Sequence, residues 1–298
     1  MSDNDMTSHA EAFLKAATLT EALPWMRRFQ GSIFVVKLGG NAMVDDELLQ
    51  AFADDMVFLA TVGVHPVVVH GGGPQISQAL AERGIESEFR GGYRVTTTEA
   101  IPIVRDVLRE GISADLARRI NTHAEVAIVR SGEDEGLFRA AKRAMVVDGV
   151  DVDLGHVGDV VSVDPSSIQR LIAEGKIPII SSISPSDDGA SILNVNADAA
   201  AAALAIALRA DKLVLLTDVG GLYAQWPSMD SLISSISLEE LAVLLPTLES
   251  GMIPKMTACY DAVAQGVAKA AIIDGRLAHS ILLEAFTTEG IGTEVTSS

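Results

Sequence analysis

Cysteine, aromatic residues and basic side chains are all scarce in this chain of 298 residues. Its single cysteine, Cys259, has no partner for an internal disulfide, and no spacing of cysteine and histidine matches a zinc site. Lys and Arg number 22 against 40 Asp and Glu, so the formal net charge is −18. Because nucleic-acid binding needs clustered basic side chains, this balance argues against a nucleic-acid partner.

Long hydrophobic runs are also missing. The longest apolar stretch, roughly residues 197–208, contains an aspartate and is shorter than the ~18 residues that indicate a membrane-spanning helix. The N-terminus is acidic and polar, which is not the pattern of a secretory signal. Hydrophobic residues still make up 48% of the chain. We therefore expect a globular cytoplasmic protein with a large core and no membrane partner.

A short buried strand that ends in glycines and leads into a helix is the dominant pattern. Residues 33–38 and 67–69 are such runs, and glycines follow each of them directly. Pro74 suits the first turn of the next helix, where a missing N–H costs nothing. This rhythm predicts an α/β fold, with a mainly parallel sheet covered by helices on its faces.

Similar spacing predicts the remaining elements. Further strands are expected at 126–129, 177–180, 213–216 and 271–273. Further helices are expected at 46–59, 98–121, 165–175, 196–208, 238–244 and 252–266. Between residues 138 and 163, alternating segments with Gly149, Gly155 and Gly158 favour β-hairpins that form a lid or an edge.

Residues 2–30 form a separate helical segment in this interpretation. Apolar residues recur there at helical spacing from Ala12 to Met26, and Pro24 predicts a kink or break near the end. Such a stripe needs a surface to pack against. It either covers its own domain or docks on a partner subunit, and the sequence leaves both alternatives open.

The glycines at the two strand ends predict an anion site. Without side chains, Gly39-Gly40 and Gly71-Gly72-Gly73 let backbone N–H groups approach an anion beside a helix N-terminus. Tight turns alone would also explain either cluster, and neither matches a P-loop or a dinucleotide fingerprint. Lys37 favours phosphate, because a lysine in a buried strand is costly unless its ammonium meets a charge.

Four other positions carry chemistry with an ordinary structural alternative. Arg94 has the fork that binds a carboxylate, although surface arginines are common. Asp198 follows Asn196, and helix capping explains both residues. Asp218 closes a strand and suits a ribose, a metal or a turn. Lys255 opposes the dipole of a helix first turn unless an anion binds there.

Six motifs occur in order between residues 31 and 273. They are VKLGGNAM at 36–43, VVHGGGPQI at 68–76, GGYRVT at 91–96, LNVNAD at 193–198, LTDVGGLY at 216–223 and GMIPKM at 251–256. Together they resemble the amino-acid kinase family, and within it the acetylglutamate kinases rather than aspartate, carbamate or uridylate kinases. This resemblance implies an αβα sandwich with an open, mainly parallel sheet of about eight strands and an N-terminal helical extension.

The resemblance also implies a reaction and a set of site residues. MgATP would phosphorylate the γ-carboxylate of N-acetyl-L-glutamate, with Mg²⁺ held mainly by ATP and water rather than by a protein metal site. The implied catalytic residues are Lys37, Lys255, Asp198 and Gly40. The implied acetylglutamate-binding residues are Gly72, Gly73, Arg94 and Asn194. The implied nucleotide-binding residues are Gly39, Thr217, Asp218 and Lys255.

Both ends of the chain resemble the arginine-inhibited, hexameric members of this family. The resemblance implies that residues 1–30 serve assembly and regulation in a homo-hexamer, a trimer of dimers. Residues 31–298 would form the kinase domain, with an acetylglutamate-binding N-lobe (31–195) and a C-lobe (196–298) for nucleotide and arginine. An L-arginine effector site would use His279, Glu284, Gly290 and Gly292, although an exposed acidic tail is the plain alternative.

Two other functions fit the same residues. The chain could phosphorylate another carboxylate or carbamate, or it could be an arginine-binding sensor built on an inactive kinase domain. Lys37, Asp198 and Lys255 are all present, whereas a decayed site is expected to lose at least one of them. This disfavours the sensor.

Overall fold

The computed structural model describes residues 3–147, 150–287 and 290–298. Three predictions therefore fall partly outside the described residues: the helical segment at Ser2, the hairpins at Gly149, and the effector segment at Thr288 and Glu289. All other predicted elements lie within the described part.

Ten α-helices lie in the described ranges. They are α1 Asp3–Phe29, α2 Asp46–Thr61, α3 Gly73–Ala81, α4 Ala100–Asp106, α5 Ala114–Ile120, α6 Ser166–Ala173, α7 Ala197–Leu208, α8 Leu238–Leu244, α9 Ile253–Ala264 and α10 Ser280–Phe286. A π-helical segment, Val107–Ser113, joins α4 to α5. None of the helices in these ranges is long and apolar enough to cross a membrane.

Eighteen strands lie in the same ranges. They are β1 Ile33–Leu38, β2 His65–His70, β3 Phe89–Arg90, β4 Tyr93–Arg94, β5 Ala127–Ser131, β6 Phe138–Lys142, β7 Met145–Val147, β8 Val150–Val152, β9 Val157–Val163, β10 Ile177–Ser181, β11 Ile183–Pro185, β12 Ile192–Val195, β13 Lys212–Thr217, β14 Leu222–Tyr223, β15 Leu232–Ile233, β16 Ser235–Ser237, β17 Lys269–Asp274 and β18 Thr293–Thr296.

An eight-stranded sheet forms the centre, in the order β16-β18-β17-β13-β1-β2-β10-β5. Six of its seven pairings are parallel, and only β17 and β18 pair antiparallel. The predicted open, mainly parallel sheet is therefore confirmed. Parallel neighbours place their carboxyl ends at one edge, where α/β proteins bind ligands.

Strand β1 lies in the middle of this sheet and is buried on both faces. Val35 belongs to the hydrophobic cluster shared with α6, α7 and α9. Phe34 and Val36 point to the opposite face and pack in the cluster of α2, α3 and α4. Alternating side chains thus contact helices on both sides, as the two-residue period of a strand requires. The layers are helix, sheet and helix.

The segment between residues 138 and 163 folds into hairpins, as predicted. Strand β6 pairs antiparallel with β9, and β7 pairs with β8. β9 also pairs with β12, and together with β6 and β11 they form a second sheet of four strands. Its hydrogen-bonded neighbours follow the order β11-β12-β9-β6. Strands β3 and β4 make a further small hairpin.

The predicted helix over 98–121 contains an irregularity that the periodicity did not indicate. Its middle turn, Val107–Ser113, is π-helical. A π turn has one more residue per hydrogen-bonded turn than an α turn, so it rotates the side chains that follow it. Leu108, Ile112 and Ser113 are all buried in consequence.

Helix α1 contradicts one prediction, and for a second prediction it decides between the two alternatives over only part of its length. Of the kink or break expected at Pro24, the break is wrong, because α1 continues through Pro24 to Phe29. The kink stays a prediction. Packing of Trp25 and Phe29 on the core offsets the ~3 kcal/mol that an internal proline costs. Phe29 contacts Phe34 and Phe286 edge-on. The end of α1 therefore covers its own domain, the first of the two alternatives.

Between Phe13 and Leu23, the large apolar side chains of α1 are exposed. Phe13 and Leu14 are 77% and 68% exposed, and Leu19 and Leu23 are also exposed. These four side chains are spread around the helix rather than gathered in one stripe. The second alternative, docking on another subunit, therefore stays a prediction for this part of α1.

Candidate functional site

Three adjacent strands end at the carboxyl edge of the sheet and bring the predicted loops together. Lys37 of β1 lies beside Leu215 of β13 on one side and Val69 of β2 on the other. The loops after these strands hold the two glycine clusters and the Thr217-Asp218 pair. Residues that are far apart in the sequence thus share one site.

A carboxylate between two ammonium groups forms the centre of this edge. Asp198 Oδ1 lies 2.8 Å from Lys37 Nζ, and Asp198 Oδ2 lies 2.9 Å from Lys255 Nζ. The Asp198 side chain is 5% exposed, and the lysines are 7% and 22% exposed. The three groups together carry one net positive charge, which favours an anion.

Local structure explains why these side chains meet. Asn196 caps α7 by accepting hydrogen bonds from the N–H groups of Asp198 and Ala199, at 2.8 and 3.1 Å. This cap fixes Asp198 in the first turn of the helix. Lys255 lies in the first turn of α9, where a cation opposes the helix dipole. Its contact with Asp198 offsets that repulsion.

The burial of this cluster changes its proton affinities. Burial raises the pKa of the Asp198 carboxyl, but the charges of Lys37 and Lys255 outweigh that effect and lower the pKa to about 2. Burial lowers the pKa of Lys37, and repulsion from Lys255 adds to this lowering against the attraction of Asp198. An incoming anion would favour the protonated form of Lys37.

The glycines next to this cluster leave no room for side chains. A Cβ on Gly39 would overlap the Lys37 ammonium, and a Cβ on Gly40 would overlap the Asp218 carboxylate. Gly40 also has a φ of +72°, a conformation that favours glycine. Gly40 therefore requires glycine through its backbone conformation, whereas a side chain at Gly39 would have to displace the end of Lys37.

A cavity of about 400 Å³ opens beside the second glycine cluster. It is lined by backbone and small or apolar side chains with a few polar groups: Gly71, Gly72, Gly73, Pro74, Ile76, Ser77, Phe89, Arg94, Leu108, Ser182, Asn194, Val195 and Ala197. The predicted acetylglutamate-binding residues Gly72, Gly73, Arg94 and Asn194 are all among them. Apolar walls with a few fixed polar groups are typical of small-molecule sites.

Arg94 is 8% exposed and is held by neutral partners. Its Nη2 donates to Gly73 O at 2.9 Å and to Ser77 Oγ at 2.8 Å, and its Nη1 donates to Ser87 Oγ. Phe89 lies under the guanidinium, 4.6 Å from Cζ to the ring centroid. Burial lowers the pKa of Arg94. A buried guanidinium held by neutral groups retains its attraction for a carboxylate.

Two polar side chains of this cavity were not predicted. Ser77 follows the glycine cluster in α3, and Ser182 is 2% exposed at the end of β10. Neither has a sequence signal, since single serines are common at helix starts and strand ends. Only the fold brings them to the cavity.

Thr217 and Asp218 lie on the other side of the lysine cluster. Thr217 ends β13 and is 6% exposed, and its carbonyl accepts a hydrogen bond from Gly275 N at 2.8 Å. The Asp218 carboxylate lies against Gly40 and attracts the charge of Lys37. The predicted nucleotide residues are therefore adjacent to the predicted catalytic ones.

A second cavity, of about 510 Å³, lies between the end of α1, the C-terminal segment and the sheet. Acidic, basic and aromatic side chains line it together with small residues: Trp25, Arg28, Phe29, Asp211, Lys212, Ser234, Ser235, Lys269, Glu284, Ala285, Thr287, Gly290, Gly292 and Glu294. We call it the C-terminal cavity. The predicted effector residues Glu284, Gly290 and Gly292 all line it.

Glu284 is buried in this cavity and already has partners. Its Oε1 lies 2.7 Å from Lys212 Nζ, and its Oε2 accepts a hydrogen bond from Ile291 N at 3.0 Å. Glu294 shares Lys212 at 3.4 Å and pairs with Lys269 at 2.5 Å. The cavity therefore presents paired charges of both signs, which suits a zwitterionic ligand.

His279 does not line the C-terminal cavity. It precedes α10, with a φ of +60°, and its Nδ1 lies 2.7 Å from Asp55 Oδ1 of α2. Burial raises the pKa of Asp55 to about 6, although the contact with His279 acts to lower it. His279 thus lies apart from the other three predicted effector residues: it precedes α10, whereas Glu284 lies within α10 and Gly290 and Gly292 follow it.

Lys212 is the main residue of the C-terminal cavity that the sequence analysis missed. Like Lys37, Lys212 lies within a buried strand, since β13 is buried along its whole length. The predicted strand began one residue later, at 213, so Lys212 was left outside. A lysine at the start of an apolar run was therefore the available signal.

The model of the "Amino acid kinase family" matches residues 32–274. The acetylglutamate kinase of Arthrobacter sp. (strain FB24) is 59% identical over 98% of this chain and 96% of its own. That of Clavibacter michiganensis subsp. michiganensis is 62% identical over 96% and 95%.

A solved structure shares the fold. N-acetylglutamate synthase from Neisseria gonorrhoeae, complexed with coenzyme A and N-acetyl-glutamate, superimposes with a TM-score of 0.79 at 24% identity. The match covers 95% of this chain and 63% of that longer chain. The chain therefore spans less than two thirds of that protein.

The ion-paired cluster generates a prediction about stability. Asp198→Asn keeps the side-chain shape but leaves two ammonium groups without their shared carboxylate, so the free energy of unfolding at about pH 7 should fall by roughly 3 kcal/mol. Without Asp198 the folded-state pKa of Lys37 falls further. A lowered lysine pKa destabilises the fold at pH values below the unfolded pKa, and this cost disappears as pH rises.

Urea unfolding at about pH 7 and about pH 10 measures this difference. The difference in the free energy of unfolding between wild type and Asp198→Asn should be smaller at the higher pH. Asp153→Asn is the matched control, since Asp153 pairs with Lys142 in an exposed contact and its loss should change stability little. A gap that is the same at both pH values would contradict the assignment.

Proposed function

The chain belongs to the amino acid kinase family, and we propose from that membership that it phosphorylates the γ-carboxylate of N-acetyl-L-glutamate with ATP. The products are N-acetyl-L-glutamyl 5-phosphate and ADP. Relatives of 59% and 62% identity over nearly the full chain carry this activity in their names. The observation that carries the proposal is the Asp198 carboxylate shared by Lys37 and Lys255 beside the substrate cavity.

The reaction needs no general base. The γ-carboxylate of acetylglutamate is ionised at neutral pH, because carboxyl pKa values lie near 4. One of its oxygens forms a bond to the γ-phosphorus while the bond from that phosphorus to the bridging oxygen of ADP breaks. The enzyme must align two anions and neutralise the charge that spreads over the transferred group.

Lys37 and Lys255 perform that neutralisation. Their ammonium groups lie on either side of Asp198, which orients both. The carboxylate cancels one of their two positive charges, so the three groups carry one net positive charge. The backbone N–H groups of Gly40 and Gly72 donate to the oxygens of the transferred phosphoryl group. Fixed donors of this kind need no reorganisation when charge develops in the transition state.

Acetylglutamate occupies the 400 Å³ cavity. Arg94 binds a carboxylate of the substrate, and its contacts with Gly73 and Ser77 hold the guanidinium in place. Gly72, Gly73 and Asn194 supply polar contacts.

The nucleotide lies on the opposite side of the lysine cluster. Gly39, Thr217, Asp218 and Lys255 border it there. The described residues contain no group of three or more His, Cys, Asp or Glu that could hold a metal ion. The residues fit a magnesium nucleotide through the Lys255 ammonium and the backbone of the glycine loop, and Mg²⁺ is carried by the phosphates and water. When bound, it neutralises phosphate charge.

The C-terminal cavity binds L-arginine as a feedback inhibitor. Glu284 contacts the guanidinium or the α-amino group, and Gly290 and Gly292 let the backbone approach the ligand. A Cβ on Gly290 would lie 2.6 Å from Glu284 Oε2, so the contact of this loop with the carboxylate requires glycine. His279 acts from outside the cavity, through α10.

Residues 1–30 form an assembly and regulatory element, and residues 31–298 form the kinase domain, with lobes 31–195 and 196–298. The exposed apolar side chains of α1 contact a second subunit, in a hexamer built as a trimer of dimers. Because Trp25 and Arg28 of the same helix line the C-terminal cavity, arginine and assembly are coupled.

Substrate competition tests the function directly. With MgATP, we expect acetylglutamate to give saturable ADP release and an acyl phosphate that hydroxylamine traps. Glutamate, aspartate and carbamate should neither saturate nor compete. Turnover with carbamate would favour a different kinase of this family, and arginine binding without any turnover would favour the inactive sensor.

Loss of either lysine should abolish most of the catalysis. Lys37→Ala and Lys255→Ala should each lower kcat at least ~100-fold, because each removes an electrostatic stabiliser of the transition state. Steady-state ADP release measures this. Lys176→Ala is the control, since Lys176 is exposed and donates to Glu125 O away from the site. Near-normal turnover of either variant would refute its role.

Arginine inhibition should depend on Glu284. Glu284→Gln removes the negative charge but keeps the shape, so the arginine concentration for half-inhibition should rise at least ~10-fold. The kinase rate without arginine is measured for each variant as its own baseline. Glu174→Gln, an exposed position after α6, should leave inhibition unchanged. An unchanged arginine response in Glu284→Gln would place the effector elsewhere.

Assembly should depend on the exposed part of α1. Deletion of residues 1–20 removes Phe13, Leu14 and Leu19 but leaves Trp25 and Phe29 on the core, so hexamers should become dimers in light scattering. Leu14→Asp should have the same effect. Val243→Asp, at an equally exposed apolar position on α8, should not. A truncated chain that still forms hexamers would contradict the proposal.

A further inference from the structure

A buried histidine contacts the glycine loop, residues 71–73, on the side away from the substrate cavity. His70 ends β2, is 0% exposed, and directly precedes Gly71. Its Nδ1 lies 2.9 Å from Gly71 O, and its Nε2 lies 2.6 Å from Ser113 Oγ. Ser113 is itself fully buried and ends the π-helical segment.

These two contacts determine where the ring carries its proton. A carbonyl oxygen can only accept, so Nδ1 must be the donor toward Gly71 O. Burial lowers the pKa of His70 to about 4, and the nearby charge of Lys37 also acts to lower it, so the ring is neutral near pH 7. In a neutral ring with a proton on Nδ1, Nε2 accepts, and the Ser113 hydroxyl donates to it.

The contact with Gly71 O reaches the substrate side of the loop through one peptide plane. The C=O of Gly71 and the N–H of Gly72 belong to the same trans peptide unit and point in opposite directions. Since the Gly71 carbonyl is held toward the ring, the Gly72 N–H points away from it. Gly72 is the N-cap of α3, so this N–H has no acceptor within the helix.

The π-helical segment also holds Gly72 by packing. A Cβ on Gly72 would lie 2.5 Å from Ile112 Cδ1 and 2.8 Å from Leu108 Cδ2. These two side chains and Ser113 come from the same irregular turn, which places an apolar pair against the loop and a hydroxyl against the ring. The turn thus packs against Gly72 and places a hydroxyl beside Nε2 of His70.

We infer that His70 is a positioning residue for phosphoryl transfer: held as the Nδ1–H tautomer by the Gly71 carbonyl, with Ser113 donating to Nε2, it orients the Gly71–Gly72 peptide so that the Gly72 N–H faces the reacting group. The other tautomer would place a lone pair of Nδ1 against Gly71 O and repel it. The inference rests on the proposed function, in which the Gly72 N–H binds the transferred group.

The tautomer can be measured without any assay of activity. In ¹⁵N-labelled protein, the imidazole nitrogen shifts of His70 at neutral pH should show a protonated Nδ1 and an unprotonated Nε2. Ser113→Ala removes the donor to Nε2 but leaves the acceptor at Nδ1, so Nδ1 should stay protonated in this variant. A ring that is protonated on Nε2 in the wild type would overturn the inference, whatever the substrate of the enzyme is.

Kinetics then separates positioning from a structural role. His70→Leu cannot donate and should lower kcat at least ~10-fold, with the KM for ATP changed less than ~3-fold. His70→Asn keeps a donor close to the position of Nδ1 and should recover most of the lost kcat. Ser113→Ala should lower kcat by a smaller factor than His70→Leu.

Ser184→Ala is the matched control for Ser113→Ala. Ser184 is also fully buried, and its hydroxyl donates to Pro185 O at 2.9 Å, away from the glycine loop. Thermal unfolding of every variant is measured in parallel. Equal loss of kcat in His70→Asn and His70→Leu, or in Ser184→Ala and Ser113→Ala, would show a general packing effect and contradict the inference.

The two levels of the proposal fail separately. A wild-type chain without acetylglutamate kinase activity would refute the proposed function but leave the tautomer measurement interpretable. An active wild type in which His70→Leu keeps its full kcat would refute only the positioning role.

Discussion

The contact of one buried carboxylate with two ammonium groups is the interaction on which the rest of the site depends. Asp198 can hold Lys37 and Lys255 only because three elements meet: the end of β1, the capped start of α7 and the first turn of α9. The parallel sheet supplies the first, and packing of α7 and α9 on one of its faces supplies the others. The fold is therefore what assembles this charge cluster.

The cluster is costly in the absence of an anion, and this cost is tied to its function. Burial opposes the charged forms of Asp198 and Lys37, and Lys255 works against the helix dipole. In the proposed function, a phosphoryl group in transfer relieves these costs because it brings negative charge to the open side of the lysines. Interactions that strengthen as the charge spreads lower the barrier rather than the energy of the bound substrates.

Most of the fold could be predicted, because buried strands that end in glycines leave a clear signal. Strand β1 and helix α8 have the predicted limits, and the predicted family is confirmed by the match over residues 32–274. The break at Pro24 was wrong, since local propensity says nothing about the packing of Trp25 and Phe29 on the core. The π-helical segment leaves no signal in the periodicity.

The sequence predicted more of the lysine cluster than of the C-terminal cavity. Lys37, Asp198 and Lys255 stand in motifs, so their common site followed from the family resemblance. The pairing of Lys212 with Glu284 did not, because their contact depends on how the tail returns across the sheet. The hydrogen bonds of His70 were equally hidden, although its motif had been recognised.

The central claim is that the lysine cluster binds the transition state more tightly than the bound substrates. Calorimetry can measure the affinity of MgADP with aluminium fluoride and acetylglutamate, a mimic of the transferred group, and that of a non-hydrolysable ATP analogue. For Lys37→Ala, we expect the mimic to lose at least ~100-fold in affinity and the ATP analogue less than ~10-fold. Equal losses for both ligands would mean that the lysine only binds nucleotide, and would contradict the account.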